Sequence, residues 1–105
     1  MNWYKKASKE ITLYRGEHST NKNGHYYSLD KEFARQFTQS GQDKEIITRK
    51  INPSLIYDAR NEGKPLPDAN NEQDFTSALI KAKELGFQGF RLTEGMNQPD
   101  SVYIL

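Results

Sequence analysis

The sequence predicts an α+β fold: a compact single domain over residues 1–105, with a mostly antiparallel, split β-sheet core and two to three helices. Three observations lead to this fold class. The chain of 105 residues is long enough for one modest core but not for two. Its apolar runs include both short strand-like segments and stretches of helical periodicity. The candidate strands follow one another too closely for regular βαβ crossovers throughout.

Composition narrows the functional classes. The 15 basic and 14 acidic residues leave a net charge of +1, so bulk electrostatics give no reason to expect strong attraction to nucleic acid or to a membrane. The absence of cysteine excludes disulfides and thiolate chemistry. No apolar segment opens the chain and no run is long enough to span a bilayer, so we expect a cytoplasmic protein with no membrane partner.

The first elements are predicted from apolar spacing and turn residues. Apolar side chains three to four residues apart predict a short helix over residues 3–9, and the run before Gly16 predicts a strand over residues 11–14. The polar stretch "EHSTNKNG", residues 17–24, is typical of a loop. The short segment 25–28 that follows is rich in aromatic residues and predicts a second strand.

A second helix and a third strand come next. In "LDKEFARQF" an apolar side chain returns at every fourth position, which predicts a helix. Ser28 or Asp30 can cap its first turn, and Gly41 is the natural terminator. Side chains then alternate in "KEIITRKI", which predicts a strand that Pro53 closes. "LIYDA" is predicted as a further short extended piece.

The C-terminal part contains the clearest helix signal. Residues 60–71 hold two prolines and a glycine and are predicted to form an irregular surface loop. The run "NEQDFTSALIKAKELG" carries an apolar face, early acids, late lysines and a stop at Gly86, which predicts a helix. "FQGFRL" and "SVYIL" predict two strands joined by the polar turn "TEGMNQPD", and Gly89 is expected to permit tight strand packing.

Arg15 stands out because, within "LYRGEH", it follows an apolar strand segment and precedes Gly16. A guanidinium makes bidentate contacts with phosphate, and a glycine removes the side chain that would block a ligand. The alternative is a surface arginine followed by a turn glycine. The residues alone leave both interpretations open.

Three landmarks in this order resemble the ADP-ribosyltransferase-like fold, especially its small phage and bacterial members: "LYRG", "GHYYSLDKEFARQF", and "LGFQGFRL" with "DSVYIL". The resemblance spans most of the chain and implies NAD as the cofactor. It also implies that Arg15 and Gly16 hold the dinucleotide, and that Tyr27 and Ser28 line the nicotinamide pocket. A helix N-cap remains the competing interpretation of Ser28.

The same resemblance implies a carboxylate that hydrogen-bonds the ribose and stabilises positive charge as nicotinamide leaves. Asp100 matches the place where many members carry Glu, and "QPD" imitates the family pattern Q-x-E with Asp in place of Glu. Glu94, on the same connection, is the substitute candidate. Both are catalytic candidates, although turn carboxylates are more often solvated.

His18 and His25 frame the loop before the second predicted strand. Two histidines without a third ligand at a matching spacing do not form a recognisable metal site, so no metal is expected. Either histidine can instead contact an anionic substrate or act as a general base. A small ribonuclease is therefore a competing enzyme class, but the chain lacks the basic surplus that binding of an RNA backbone usually requires.

The sequence thus leads to two main hypotheses beside the ribonuclease. The first is a NAD-dependent mono-ADP-ribosyltransferase-like protein that transfers ADP-ribose to an unknown macromolecular acceptor. We expect this acceptor to be a protein; a nucleic acid stays open but is not indicated by charge. The second is a catalytically inactive binding module of the same fold, such as a phage-type inhibitor of a host protein, because fold does not carry activity with it.

Overall fold

The computed structural model describes residues 10–16, 24–38, 40–42 and 45–105. The predicted helix over residues 3–9, most of the predicted loop over residues 17–24, and His18 within it lie outside the described residues. Within the described residues, no helix is both long enough and apolar enough to cross a membrane.

The described strands form one six-stranded sheet in the spatial order β3-β1-β2-β6-β5-β4. The strands are β1 (Ile11–Gly16), β2 (Tyr26–Ser28), β3 (Ile46–Ile51), β4 (Ile56–Tyr57), β5 (Gly89–Thr93) and β6 (Asp100–Ile104). They are accompanied by α1 (Lys31–Arg35), α2 (Glu72–Glu84) and two short 3₁₀ helices, Pro53–Leu55 and Ala59–Glu62. All described strand pairs are antiparallel except β4 with β5. The α+β class is therefore confirmed, but hydrogen-bonded pairs join the strands into one continuous sheet rather than a split one.

Apolar side chains form two clusters, and alternate residues of the central strands supply them. Phe90 and Leu92 of β5 are fully buried in the first cluster, together with Ala78 and Ala82 of α2. Val102 of β6 belongs to the second cluster. The other buried members of that cluster are Leu13, Ile51, Ile56 and Ile104. Because successive strand residues point to opposite faces of a sheet, the two clusters lie on opposite faces.

The helix predicted from "NEQDFTSALIKAKELG" is confirmed as α2. Asn71 caps it, since its side-chain oxygen accepts a hydrogen bond from the N–H of Asp74 at 3.0 Å. Acidic residues in its first turn and lysines in its last turn complement the helix dipole. Gly86 follows with a φ of 79°, a left-handed conformation that ends the helix as predicted.

The helix predicted in "LDKEFARQF" is shorter than expected. Asp30 caps it by accepting hydrogen bonds from two N–H groups of the first turn, at 2.8 and 3.2 Å. α1 ends at Arg35 instead of continuing toward Gly41, because the backbone tightens into i→i−3 hydrogen bonds over residues 36–38. The Thr38 hydroxyl completes this turn by donating to the Arg35 carbonyl at 2.7 Å.

The segment 60–71, predicted as an irregular surface loop, is partly ordered. It starts in a 3₁₀ helix and then runs beside the end of β5. There Thr93 donates to the carbonyl of Pro67 and accepts from the N–H of Ala69, both at 2.9 Å. Proline suppresses a strand signal, and the pairing partner is distant in sequence, so the pattern did not reveal this pairing. The pairing brings Ala69 and Asn70 to the cleft described next.

Candidate functional site

A cleft of about 380 Å³ lies where β1 and β2 meet α1 and the turn between β5 and β6. Its aromatic lining comes from Tyr14, Tyr26, Tyr27, Phe33 and Phe37. A guanidinium, a carboxylate, a side-chain amide and two serine hydroxyls lie among these rings. A concave surface with a few polar groups among apolar ones is the usual form of a small-molecule site.

Five of the residues singled out in the sequence line this cleft: Arg15, Gly16, Tyr27, Ser28 and Glu94. Asp100 and His25 are not among its lining residues. His18 lies outside the described part of the chain. The cleft therefore brings together the proposed anion-binding residues and only one of the two candidate acids.

Arg15 is a buried charged residue, with 7% of its surface exposed. Its guanidinium lies directly against Gly24, because a Cβ atom built on Gly24 would overlap the guanidinium. The glycine that precedes the second predicted strand therefore makes room for the arginine. A guanidinium at the wall of a cleft is a strong donor for an anionic ligand.

The packing of the protein favours a glycine at position 16. A Cβ atom at this position would overlap the carbonyl oxygen of Ala34 in α1. The close approach at Gly16 is thus made to the helix backbone, and the same residue also lines the cleft. This contact fixes α1, which carries Phe33, and the turn after it, which carries Phe37, against the end of β1.

Ser28 has the two neighbours that strand pairing gives it. It lies opposite Tyr14 of β1 and opposite Ser101 of β6. Its hydroxyl accepts a hydrogen bond from the N–H of Asp30 at 2.9 Å. Ser28 therefore supports the chain that enters α1, while Asp30 is the cap, and Ser28 lines the cleft as well.

The two tyrosines of β2 differ in their accessibility. Tyr27 packs against the cluster that contains Leu13 and Val102, whereas Tyr26 keeps 39% of its surface exposed. The Tyr26 ring is held by Tyr103, edge to face with centroids 5.2 Å apart, and by Phe75 at 6.1 Å. Tyr26, which the sequence analysis did not single out, is thus the more accessible aromatic face of this strand.

Burial raises the pKa of the Tyr26 phenol, and the negative charge of Glu94 raises that pKa further. The group therefore stays protonated at neutral pH. A neutral phenol can stack against a planar ring and can donate one hydrogen bond. Tyr26 and Glu94 both line the cleft.

Among the described residues that line the cleft, Glu94 is the one with a carboxylate. The Ser101 hydroxyl donates to its Oε2 at 2.6 Å, and Ser101 itself is only 2% exposed. The Asn70 side-chain amide donates to the Glu94 carbonyl at 3.5 Å. Ser101 and Asn70 both line the cleft. Sequence reasoning missed them because only strand pairing brings them to Glu94, and no motif marks either one.

Asp100, the first choice among the acids in the sequence, meets different partners. It precedes Ser101 in β6, and successive strand residues face opposite sides of a sheet. Its Oδ2 lies 3.6 Å from Nη1 of Arg60 and 3.7 Å from Nε of Arg91. Asp100 thus belongs to an ion cluster, while Glu94 belongs to the cleft.

Asp58 completes this ion cluster. Arg60 donates to its two oxygens at 3.0 and 2.8 Å, and Arg91 lies 3.8 Å away. The hydrogen bond from Arg60 lowers the pKa of Asp58, although burial opposes the shift. The two arginines and two aspartates balance in charge. Their ion pairs join the segment after β4 to β5 and β6.

His25 lies beside the cleft rather than in its wall. Its Nδ1 is 2.7 Å from the carbonyl oxygen of Ile104. Because a carbonyl only accepts, Nδ1 carries the proton in the neutral ring. The ring stacks on Tyr103 with centroids 4.9 Å apart. The described residues contain no group of three His, Cys, Asp or Glu side chains that could hold a metal ion.

No protein-family model matches this chain, and no curated protein and no solved structure matches it either. The chemistry of the cleft is therefore the basis for a function. It offers a guanidinium for an anion, aromatic faces for stacking, and a fixed carboxylate for a hydroxyl group or a developing positive charge.

Proposed function

We propose that the cleft binds NAD and that the protein is a NAD-dependent mono-ADP-ribosyltransferase-like protein, which transfers ADP-ribose to a macromolecular acceptor. The observation that carries this proposal is that Arg15, Ser28 and Glu94, from different strands or strand ends, line one cleft. These are residues for which the resemblance to ADP-ribosyltransferase-like proteins implies a role.

Arg15 is proposed to bind the pyrophosphate. The planar donors of a guanidinium suit two phosphate oxygens at once. Because the arginine side chain is buried, with its guanidinium against Gly24, part of its conformational freedom is already lost before it binds an anion. Gly16 and Ser28 complete this part of the wall.

Tyr26 is proposed to stack on the nicotinamide ring, and Tyr27 lines the same cleft. The support for Tyr26 is its exposure and its fixed position between Tyr103 and Phe75. A planar aromatic ligand gains from an offset or edge-on contact with such a ring.

Glu94 is proposed to stabilise the positive charge that develops on the ribose. In the transfer, the bond between the ribose C1′ and the nicotinamide nitrogen breaks, and nicotinamide leaves with the electron pair. The acceptor nucleophile then forms a bond to C1′ and releases a proton. A carboxylate fixed in a partly enclosed site favours the charged transition state over the ground state.

The test is titration of the purified protein with NAD⁺ by calorimetry, followed by chromatographic measurement of nicotinamide release with and without cell extract. Arg15→Ala should weaken NAD⁺ binding at least about tenfold, the effect of losing a charge-assisted hydrogen bond. The matched control is Arg49→Ala, since Arg49 is an exposed arginine of β3 that does not line the cleft. Circular dichroism confirms that each variant is folded.

Three results are distinguishable. Saturable NAD⁺ binding with nicotinamide release supports the transferase. Binding without release in any extract overturns the enzymatic part and supports the inactive binding module. A folded wild-type protein that does not bind NAD⁺ overturns the proposal.

A further inference from the structure

A short hydrogen bond in the cleft joins two residues from different elements. The Ser101 hydroxyl donates to Oε2 of Glu94 at 2.6 Å. Hydrogen bonds from a hydroxyl to an ionised carboxylate are short and strong. Ser101 is 2% exposed, so water has little access to compete for the serine side of this bond.

The two residues differ in how firmly the backbone holds them. Ser101 lies in β6, paired with Ser28 of β2 on one side and with Leu92 of β5 on the other. Glu94 lies in the turn after β5, where Gly95 and Asn97 have positive φ angles of 125° and 65°. A glutamate side chain on a turn samples several rotamers, and restricting it to one costs conformational entropy. Ser101 is the more rigid residue of the pair.

We propose that Ser101 is a positioning residue for Glu94: it occupies Oε2 and leaves Oε1 for the ligand. This inference rests on the proposed function for its catalytic consequence, since it concerns the acid that stabilises the ribose. Ser101 acts through Glu94 and not on the ligand. Electrostatic stabilisation requires a charge that is already in place when the bond breaks, and the serine supplies that placement.

The consequence is a selective effect on turnover. Ser101→Ala should lower kcat by about ten- to a hundredfold, the range expected for losing a hydrogen bond to a charged group. KM and the Kd for NAD⁺ should stay within about threefold, because Arg15 and the aromatic wall are unchanged. Ser101→Thr keeps the hydroxyl and should recover most of the lost kcat.

Val102→Ala is the control for a general loosening of β6. Val102 is 1% exposed in the same strand but belongs to the cluster on the other sheet face. The Val102→Ala variant should have a lower melting temperature than the wild type, but an unchanged kcat at temperatures well below unfolding. Equal losses of kcat in Ser101→Ala and Val102→Ala would overturn the positioning role.

A second readout needs no activity. In proton NMR, the two γ-methylene protons of Glu94 should have separate shifts in the wild type, because one rotamer dominates. In Ser101→Ala the two shifts should approach each other, whereas Val102→Ala should leave them apart. Unchanged Glu94 shifts in Ser101→Ala would overturn the inference even if NAD⁺ is cleaved. Merged shifts in a protein that does not bind NAD⁺ would support positioning of Glu94 and overturn the proposed function alone.

Discussion

Gly24 lies directly against the guanidinium of Arg15, so closely that a Cβ atom at position 24 would overlap the charged group. The atoms in the way are the far end of a flexible side chain, not backbone. A side chain at position 24 is therefore accommodated by moving the guanidinium. The contact links the segment before β2 to Arg15 of β1, the proposed anion-binding residue.

We predict that Gly24→Ala impairs ligand binding more than folding. The displaced guanidinium no longer meets the phosphate in bidentate geometry, so affinity for NAD⁺ should fall about tenfold or more. The free energy of unfolding should change by less than about 1 kcal/mol, because Gly24 is exposed and the arginine can adjust. Calorimetry and urea unfolding measure the two effects.

The matched variant Gly16→Ala should behave in the opposite way. Its Cβ atom would overlap the backbone carbonyl of Ala34, which can move only if α1 moves. We expect a loss of about 2–3 kcal/mol in the free energy of unfolding, the cost of overpacking against backbone. A Gly16→Ala protein as stable as wild type by urea unfolding would show that α1 does not pack on β1 as described.

The two candidate acids can be separated by isosteric amides. Glu94→Gln should abolish most nicotinamide release while NAD⁺ still binds, because it removes the charge from the cleft. Asp100→Asn should keep release near the wild-type level and instead lower stability, because Asp100 contacts Arg60 and Arg91. The reverse pattern, in which Asp100→Asn alone removes activity, would return Asp100 to the catalytic role.

Local sequence patterns were sufficient to predict most of the described helices and strands. The α2 helix has a cap, an apolar face and a terminating Gly86, all visible in one continuous run. Gly89 was expected to allow tight packing, and a Cβ atom there would overlap the Tyr103 carbonyl. The predicted end of α1 was wrong, because the Thr38 hydroxyl closes a tighter turn. Helical periodicity does not detect such competition between a side-chain hydrogen bond and the helix.

The candidate site was only partly predictable, for a physical reason. Arg15 and Ser28 stand out in the local sequence. The choice between Glu94 and Asp100 depends instead on which side chains each acid contacts in the folded protein. Strand pairing places Ser101 opposite Ser28 and Leu92. No short sequence motif specifies this register. The same holds for Asn70, which reaches Glu94 only because the proline-containing segment pairs with Thr93.

A final prediction concerns the buried Tyr57, whose hydroxyl donates to Oε1 of Glu62 at 2.7 Å. This hydrogen bond, with burial adding to it, raises the pKa of Tyr57 to about 12 from an ordinary value of 10.0. The same bond lowers the pKa of Glu62 from its ordinary value of 4.5. The pair ties the 3₁₀ helix Ala59–Glu62 to the sheet.

The sign of the pH dependence follows from these two shifts. A tyrosine whose pKa is raised on folding stabilises the fold fully below pH 10, and this contribution is lost as the pH rises toward 12. A glutamate whose pKa is lowered on folding stabilises it above about pH 4.5, and this contribution is lost at lower pH. Wild type should therefore exceed Tyr57→Phe in the free energy of unfolding most clearly between pH 5 and 9.5. The difference should narrow toward pH 12 and toward pH 3 in urea unfolding. Burial and Glu94 also raise the pKa of Tyr26, so Tyr26→Phe is measured in parallel to separate its contribution. A difference between wild type and Tyr57→Phe that stays constant from pH 3 to 12 would exclude an ionisable partner for the Tyr57 hydroxyl.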